Sequence, residues 1–155
     1  MLIGLNPLLT PELLYALAQM GHGDEIAIVD ANFPATSVAR RLITLDGADA
    51  PSALTAILGV MPLDHMAKHP ARVMEVVGKP KEVPSAVADF ARIIAATLGH
   101  ELALEPVERQ AFYVEARNTF AILRTGERRP YGNILLSKGV VGPDGKAPDL
   151  PRARR

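Results

Sequence analysis

The sequence predicts an α/β fold, a single domain of three layers (α/β/α) with helices on both faces of a largely parallel or mixed central sheet. Short uncharged stretches rich in β-branched residues alternate along the chain with longer stretches of helical periodicity, a pattern typical of this class. A chain of 155 residues suits one such domain, and at this length folding buries roughly 70% of the surface that the unfolded chain exposes.

The domain is expected to cover residues 1–141. From Gly142 onward the composition turns to proline, glycine and charge, and the chain ends in Arg152, Arg154 and Arg155. Such a composition buries little apolar surface. We therefore expect residues 142–155 to form a flexible basic tail or an arm onto a neighbouring subunit.

The charges balance, with 17 lysines and arginines against 17 aspartates and glutamates. The chain thus lacks the basic excess of a nucleic-acid binder, and we expect no nucleic-acid partner. The absence of cysteine excludes disulfides, thiolate catalysis and cysteine zinc sites, and it fits a reducing cytoplasm. The start of the chain resembles neither a signal peptide nor an anchor, and no apolar run approaches the roughly 20 residues of a membrane span. The sequence predicts a soluble cytoplasmic protein without a membrane partner.

The first helix and the first strand are the best marked elements. Thr10 offers a hydroxyl cap, Pro11 suits the first helical position, and Gly21 ends the apolar face that starts at Leu13. Residues 26–29 are β-branched or small and uncharged, which indicates a strand buried on both faces.

The same patterns place the remaining elements in alternation. Further strands are predicted at residues 41–45, 72–77, 102–104, 120–124 and 133–136. Further helices are predicted at residues 51–61, 84–98 and 108–117.

His22 lies between two glycines in the loop before the first strand, and Asp30 lies where that strand should end. Imidazoles titrate near neutral pH, and a carboxylate at the carboxyl end of a strand faces the crevice where open α/β sheets bind ligands. These residues are candidates for a small acid–base site. The alternatives are an idle loop histidine and a cap on the next helix. A dinucleotide-binding loop is excluded, because that motif follows a strand and opens a helix.

Two further groups are candidates for ligand contacts. Tyr131, Gly132 and Asn133 combine a phenol, a permissive backbone and an amide that donates and accepts, which suits a sugar hydroxyl. A plain turn before the last strand explains them as well. Arg109 and Tyr113 lie four apart in a predicted helix and share a face, either at a site or as a solvated stacking pair.

The other histidines do not indicate a metal. His65 and His69 have a spacing seen in metal sites, but Pro70 follows at once and no glutamate lies between them as metalloprotease chemistry requires. His100 follows a predicted helix end, where it is expected to cap the negative end of the helix dipole.

Taken together, the motifs strongly resemble the family of fucose mutarotases and ribose pyranases. The resemblance runs from about Leu8 to Val141 and rests on the order and spacing of Pro11-Glu12-Leu13-Leu14, Met20-Gly21-His22-Gly23-Asp24, Asp30-Ala31-Asn32-Phe33-Pro34, Ala111-Phe112-Tyr113, Phe120-Ala121-Ile122, Thr125-Gly126-Glu127 and Tyr131-Gly132-Asn133-Ile134-Leu135-Leu136. Residues 48–84 carry no motif, and the tail beyond Val141 departs from the family pattern.

The resemblance implies an isomerase that needs no cofactor and no metal and acts at the anomeric carbon of a monosaccharide. On it, His22 matches the catalytic histidine, and Asp30, Arg109 and the segment from Tyr131 through Gly132 to Asn133 match positions that hold the sugar. Arginine at position 109 resembles the fucose branch, since the ribose branch carries a histidine there. The resemblance also implies a ring-shaped homo-oligomer, typically a decamer, with sites near subunit boundaries.

A mechanism fits these residues as a hypothesis. His22 gives a proton to the ring oxygen, Asp30 orients the imidazole or binds a hydroxyl, and Tyr113 is a second proton-transfer group or a wall for the sugar. Three alternatives stay open: ribose pyranase-type interconversion of pyranose and furanose forms, a non-catalytic sugar-binding module, and a structural ring protein whose polar motifs are turns.

Overall fold

The computed structural model describes residues 2–150. Within that range it has five helices, α1 (Pro11–Gln19), α2 (Ala35–Val38), α3 (Ala50–Leu58), α4 (Ser85–Leu98) and α5 (Arg109–Asn118). The strands of the same range are β1 (Glu25–Val29), β2 (Leu42–Leu45), β3 (Ala71–Met74), β4 (Glu105–Val107), β5 (Ala121–Thr125) and β6 (Ile134–Ser137).

These strands form one six-stranded sheet in the order β2-β5-β1-β6-β3-β4. Strand β6 runs antiparallel to both of its neighbours, β1 and β3, while the pairs β1 with β5, β2 with β5 and β3 with β4 are parallel. The sheet is therefore mixed. The carboxyl ends of β1 to β5 meet at one edge of the sheet, together with the amino end of β6.

The buried side chains of β1 alternate between two hydrophobic cores. Ile26 and Ile28 pack on the side of α1, α3 and α4, whereas Ala27 and Val29 pack on the side of α2 and α5. Each face of a central strand needs such a cover, because both faces of this strand are apolar. The three-layer α/β/α prediction is confirmed.

The predicted signals act where they were expected in the first helix. The Thr10 hydroxyl accepts a hydrogen bond from the backbone N–H of Leu13 at 3.3 Å, and Pro11 begins the helix. Helix α4 ends at Gly99, which has φ +73° and caps the helix through its N–H to Ala95. His100, predicted to cap this helix, instead contacts the carbonyl oxygen of Glu101 through Nδ1 at 3.0 Å. That prediction is wrong, because the left-handed glycine already ends the helix and turns the chain away.

Two elements differ from the sequence prediction. The strand expected at residues 102–104 lies at Glu105–Val107 and contains Pro106. Proline is tolerated there because β4 is an edge strand. Helix α2 was not predicted, since four residues are too few for helical periodicity to show.

The described part of the tail folds back on the domain. The N–H of Gly142 donates to the carbonyl of Lys146 at 2.7 Å, and Leu150 is buried in the core beside α1, α3 and α4. Arg152, Arg154 and Arg155 lie outside the described residues, so the basic tail or oligomer arm stays a prediction. Among residues 2–150, the longest apolar helices fall short of what a membrane crossing requires.

Candidate active site

Strand β1 separates the two residues that the sequence singled out first. His22 precedes the strand and Asp30 follows it, so they lie at opposite edges of the sheet. The five residues of β1 rise by about 3.3 Å each, which puts the two edges on the order of 15 Å apart. A single chain therefore presents two clusters of polar groups rather than one.

The first cluster is the pair of His22 and Asp64. The imidazole Nε2 of His22 lies 3.0 Å from Oδ1 of Asp64. The His22 side chain is 41% exposed and that of Asp64 is 9% exposed. A nearly buried carboxylate therefore holds an imidazole that solvent can reach. Burial raises the pKa of Asp64, but hydrogen bonds from the N–H of Met66 and from His22 outweigh it and hold that pKa below its ordinary value.

Lys138 fixes the loop that carries His22. Its Nζ donates to the carbonyl oxygens of Leu17 at 2.8 Å and Met20 at 2.5 Å, which are orphan acceptors at the end of α1. The Lys138 carbonyl also accepts from the N–H of Gly23, whose φ of +82° favours glycine. Lys138 thus fixes the chain both before His22, at Leu17 and Met20, and after it, at Gly23, which keeps the imidazole beside Asp64.

The second cluster centres on the pair of Asp30 and Asn133. The Asp30 N–H donates to Oδ1 of Asn133 at 2.9 Å, and Nδ2 of Asn133 donates to Oδ2 of Asp30 at 2.9 Å. Asp30 is 4% exposed and Asn133 is 2% exposed. Burial raises the pKa of Asp30, opposed by hydrogen bonds that include the one from the N–H of Asn32. Asp30 caps a local turn rather than α2, which begins five residues later and has no side-chain cap.

The segment 125–133, named here the 125–133 turn, holds Asn133 against the end of β1. The Thr125 hydroxyl donates to the carbonyl of Val29 at 2.8 Å, and the N–H of Ala31 donates to the carbonyl of Glu127 at 2.9 Å. With the Asp30 bonds to Asn133, three successive residues of β1 and its end are tied to this turn.

Aromatic and basic side chains lie at the same edge of the sheet as Asp30. Tyr131 adopts φ +60° and its hydroxyl accepts a 3.4 Å hydrogen bond from the N–H of Val77. The ring of Tyr113 meets Phe33 edge-on, with centroids 5.3 Å apart. Arg109 is exposed and begins α5 directly after β4 ends at this edge.

Gly132 is the close-packed member of the group. A Cβ on Gly132 would lie 2.7 Å from Cγ of Glu127 and 3.3 Å from the carbonyl oxygen of Arg129. Only glycine fits at that contact, and it places Tyr131 and Asn133 on either side.

The structure thus gathers most of the predicted site residues and leaves one apart. Those at the carboxyl edge of the sheet are Asp30, Arg109, Tyr113, Tyr131, Gly132 and Asn133. His22 lies at the other edge, and within the chain its carboxylate partner is Asp64 rather than Asp30. Sequence reasoning missed Asp64, whose one signal is an acid directly after the apolar run at residues 60–63.

The remaining histidine pair does not converge on a metal. His69 Nδ1 lies 3.4 Å from Oε2 of Glu105. Among residues 2–150, no three histidine or acidic side chains are grouped so as to hold an ion.

The fold and these groups define an α/β protein that presents a carboxylate hydrogen-bonded to an amide, together with a guanidinium and aromatic rings at the same sheet edge, the groups that suit a polyhydroxylated ligand. The chain belongs to the RbsD / FucU transport protein family, whose model matches residues 3–141. The resemblance inferred from the motifs is confirmed.

Named relatives cover nearly the whole chain. It is 45% identical to human fucose mutarotase over 143 residues, which cover 89% of this chain and 93% of the relative. It is 39% identical to L-fucose mutarotase of Actinobacillus pleuropneumoniae over 141 residues, 91% of this chain and 98% of the relative. Its structure superposes with a TM-score of 0.85 on the fucose mutarotase of Streptococcus pneumoniae solved with L-fucose, at 37% identity, covering 91% of this chain and all of that chain (100%).

Proposed function

We propose that the protein is an aldose mutarotase that interconverts the α and β anomers of L-fucose or a closely similar sugar. The likeness over 91% of the chain to a fucose mutarotase solved with L-fucose carries this proposal. The Asp30–Asn133 pair adds a built polar site at the same sheet edge as Arg109 and Tyr131. A cytoplasmic location stays our prediction from the absence of cysteine.

The complete active site is shared between two copies of the chain. The His22–Asp64 pair of one subunit faces the Asp30–Asn133 pair of the next, because a span on the order of 15 Å along β1 keeps them from meeting within one chain. Closed rings arise when each subunit offers one surface and accepts the other, which fits two half-sites at opposite sheet edges. A ring of ten subunits is the assembly that the family resemblance implies.

Ring opening needs two proton movements. The anomeric hydroxyl loses its proton as its oxygen becomes the aldehyde oxygen, the bond from the anomeric carbon to the ring oxygen breaks, and the ring oxygen takes up a proton. Rotation about one bond and the reverse steps then give the other anomer. No net atom or electron is gained, so an acid–base group is sufficient.

His22 is the group that moves these protons. Its Nε2 is engaged by Asp64, which leaves Nδ1 for the sugar. The buried Asp64 fixes the orientation of the ring, a role well suited to a carboxylate beside a catalytic histidine. A positioned acid–base group of this kind accelerates a reaction by about 10² to 10⁴.

The opposing half-site holds the sugar. Asp30 accepts from sugar hydroxyls, Asn133 donates and accepts, and Arg109 binds oxygens through its planar fork. Tyr131 contributes its phenol, and Gly132 lets the backbone between the two polar residues approach closely. Tyr113, packed on Phe33, forms a wall for the apolar face of the sugar or a second proton-transfer group.

Saturation-transfer NMR tests the proposal directly. The wild-type protein should speed exchange between anomers of L-fucose, with weaker effects on galactose and ribose, and the His22→Ala protein should lose this activity. Exchange confined to the pyranose and furanose forms of ribose would indicate the ribose activity instead. Binding without faster exchange would indicate a sugar-binding module, and neither binding nor exchange would reject the proposal.

A further inference from the structure

Glu127 is a buried carboxylate that the proposed chemistry does not use. It is 3% exposed, and both of its oxygens accept hydrogen bonds from Arg129. Oε1 accepts from the backbone N–H and from Nε of Arg129, each at 2.9 Å, and Oε2 accepts from Nη2 at 2.8 Å. This paired geometry is the most directional that a guanidinium and a carboxylate can form.

Glu127 contacts both chain segments that form the proposed sugar site, the one after Asp30 and the one before Asn133. Its carbonyl accepts the N–H of Ala31, the residue after Asp30. Its side chain fills the space beside Gly132, where a Cβ would lie 2.7 Å from Glu127 Cγ. Glu127 therefore lies between the end of β1 and the peptide that joins Tyr131 to Asn133.

Arg129 connects Glu127 to helix α4, in the helical layer that also contains α1 and α3. Its Nη1 donates to Oδ2 of Asp89 on α4 at 2.8 Å. The neighbouring Phe90 of α4 is fully buried, so Asp89 lies on a helix that is packed into the core. The Arg129 hydrogen bond to Glu127 also lowers the pKa of that carboxyl, which keeps it ionised at neutral pH.

Tyr131 shows what such an anchor is needed for. Its φ of +60° is a conformation that residues with a side chain adopt reluctantly, and surrounding contacts must enforce it. The 3.4 Å bond from Val77 to its hydroxyl is long and lies at the far end of the side chain, so it does little to fix the backbone.

We propose that Glu127 and Arg129 are positioning residues that hold the 125–133 turn in the shape that presents Tyr131 and Asn133 to the sugar. The inference rests on the proposed function. Neither residue contacts the proton-transfer half-site, which lies at the other sheet edge. Their loss should therefore weaken sugar binding and leave the rate at saturation nearly intact.

Kinetics of Arg129→Met, Arg129→Lys and Glu127→Gln test the positioning role. For Arg129→Met and Glu127→Gln, KM for L-fucose should rise by about ten- to a hundredfold while kcat stays within about twofold. Arg129→Lys keeps the charge but not the fork, so its KM should lie between wild type and Arg129→Met. The matched control is Arg92→Met, which removes the other arginine that bonds Asp89 and leaves Glu127 untouched.

A purely structural role gives a different result. Partial unfolding lowers the active fraction, so kcat falls and KM is unchanged, and that outcome would overturn the proposal. If Glu127→Gln fails to fold, the Arg129→Lys protein decides the same question.

Amide hydrogen exchange separates this inference from the proposed function. The N–H groups of Asp30 and Ala31 are held by Asn133 and by Glu127 of the turn. Arg129→Met should reduce their protection at least about tenfold relative to the amides of β1, as local opening predicts, whereas Arg92→Met should not. Unchanged protection rejects the positioning role whatever the enzyme assay shows. If Arg129→Met loses amide protection as expected but the wild-type protein does not speed anomer exchange, only the mutarotase assignment is rejected.

Discussion

Nε2 of His22 and Oδ1 of Asp64 lie 3.0 Å apart although the two residues are 42 positions apart in the sequence. The His22 side chain is accessible to solvent, whereas that of Asp64 is almost covered. Among residues 2–150, the contact at Nε2 leaves Nδ1 as the ring nitrogen without a hydrogen-bond partner and fixes the direction in which it points. It places the only histidine that we assign to proton transfer at the sheet edge opposite the proposed sugar-holding groups.

Substitution Asp64→Asn tests whether this pairing supports catalysis. The amide offers the ring a donor as readily as an acceptor and no longer fixes the ring orientation, so kcat for anomer exchange should fall by about ten- to a hundredfold. KM should change little, because the sugar is held from the other half-site. Saturation-transfer NMR at several sugar concentrations measures both. Glu105→Gln removes the similar contact of His69 at 3.4 Å and should leave both values unchanged.

Acid unfolding should reflect the lowered pKa values of Asp64 and Glu127. Their ordinary values are 3.8 and 4.5, and a folded-state value below these means that the unfolded chain binds more protons on acidification. The stabilisation is therefore complete above the ordinary values and is lost as pH falls through the folded ones. Urea unfolding from about pH 7 to about pH 3 should show a shallower acid loss for Asp64→Asn and Glu127→Gln than for wild type.

Asp30 supplies the opposite sign as a control. Burial raises its folded pKa above 3.8, so protonation of Asp30 favours the folded state as pH falls toward that value. Asp30→Asn removes this contribution, and its acid loss should be steeper than that of wild type. An equal change of slope in all three variants would contradict the assigned pKa directions.

The Asp30–Asn133 pair predicts the effect of a second buried carboxylate. In Asn133→Asp the donor Nδ2, 2.9 Å from Asp30, becomes an oxygen, and two buried carboxylates then face each other. We expect a loss of stability of about 3 kcal/mol at neutral pH, because a buried charge has lost its partner. Protonation of one carboxyl should relieve the repulsion, so the stability deficit should shrink on acidification. Urea unfolding at neutral and at acidic pH measures this stability deficit. Asn118→Asp on the surface is the matched control.

Local sequence signals predicted the parts of the fold that depend on local chemistry. The uncharged run at residues 26–29 indicates a buried strand, and Thr10 with Pro11 indicates the start of α1; the structure confirms both. Strand β4 was misplaced by a few residues because Pro106 argues against a strand unless it is known to lie at an edge. Edge position is a property of the whole sheet, which periodicity does not contain.

The site was predictable to the extent that its residues lie next to the ends of strands. Asp30 and Asn133 flank strands that proved to be neighbours, so their pairing follows from the topology. Asp64 did not follow from any local pattern, because the bridge of Leu63 to Lys138 that brings it beside His22 is a long-range contact. The positive φ of Tyr131 could not be predicted either, since position 131 itself is neither glycine nor asparagine, the residues that adopt positive φ most readily.

Mixed oligomers test the division of the active site between two copies. His22→Ala and Asp30→Asn should each be nearly inactive alone, one for lack of the proton-transfer group and the other for lack of a sugar ligand. When the two chains are co-expressed and assemble at random, a boundary that joins the intact His22 of one chain to the intact Asp30 of the other should form at about a quarter of the sites, so about a quarter of wild-type activity should return. The double variant His22→Ala, Asp30→Asn co-expressed with Asp30→Asn forms no intact boundary and is the control. If both half-sites of one chain served the same sugar, every site in the mixture would carry a defect, and no activity would return.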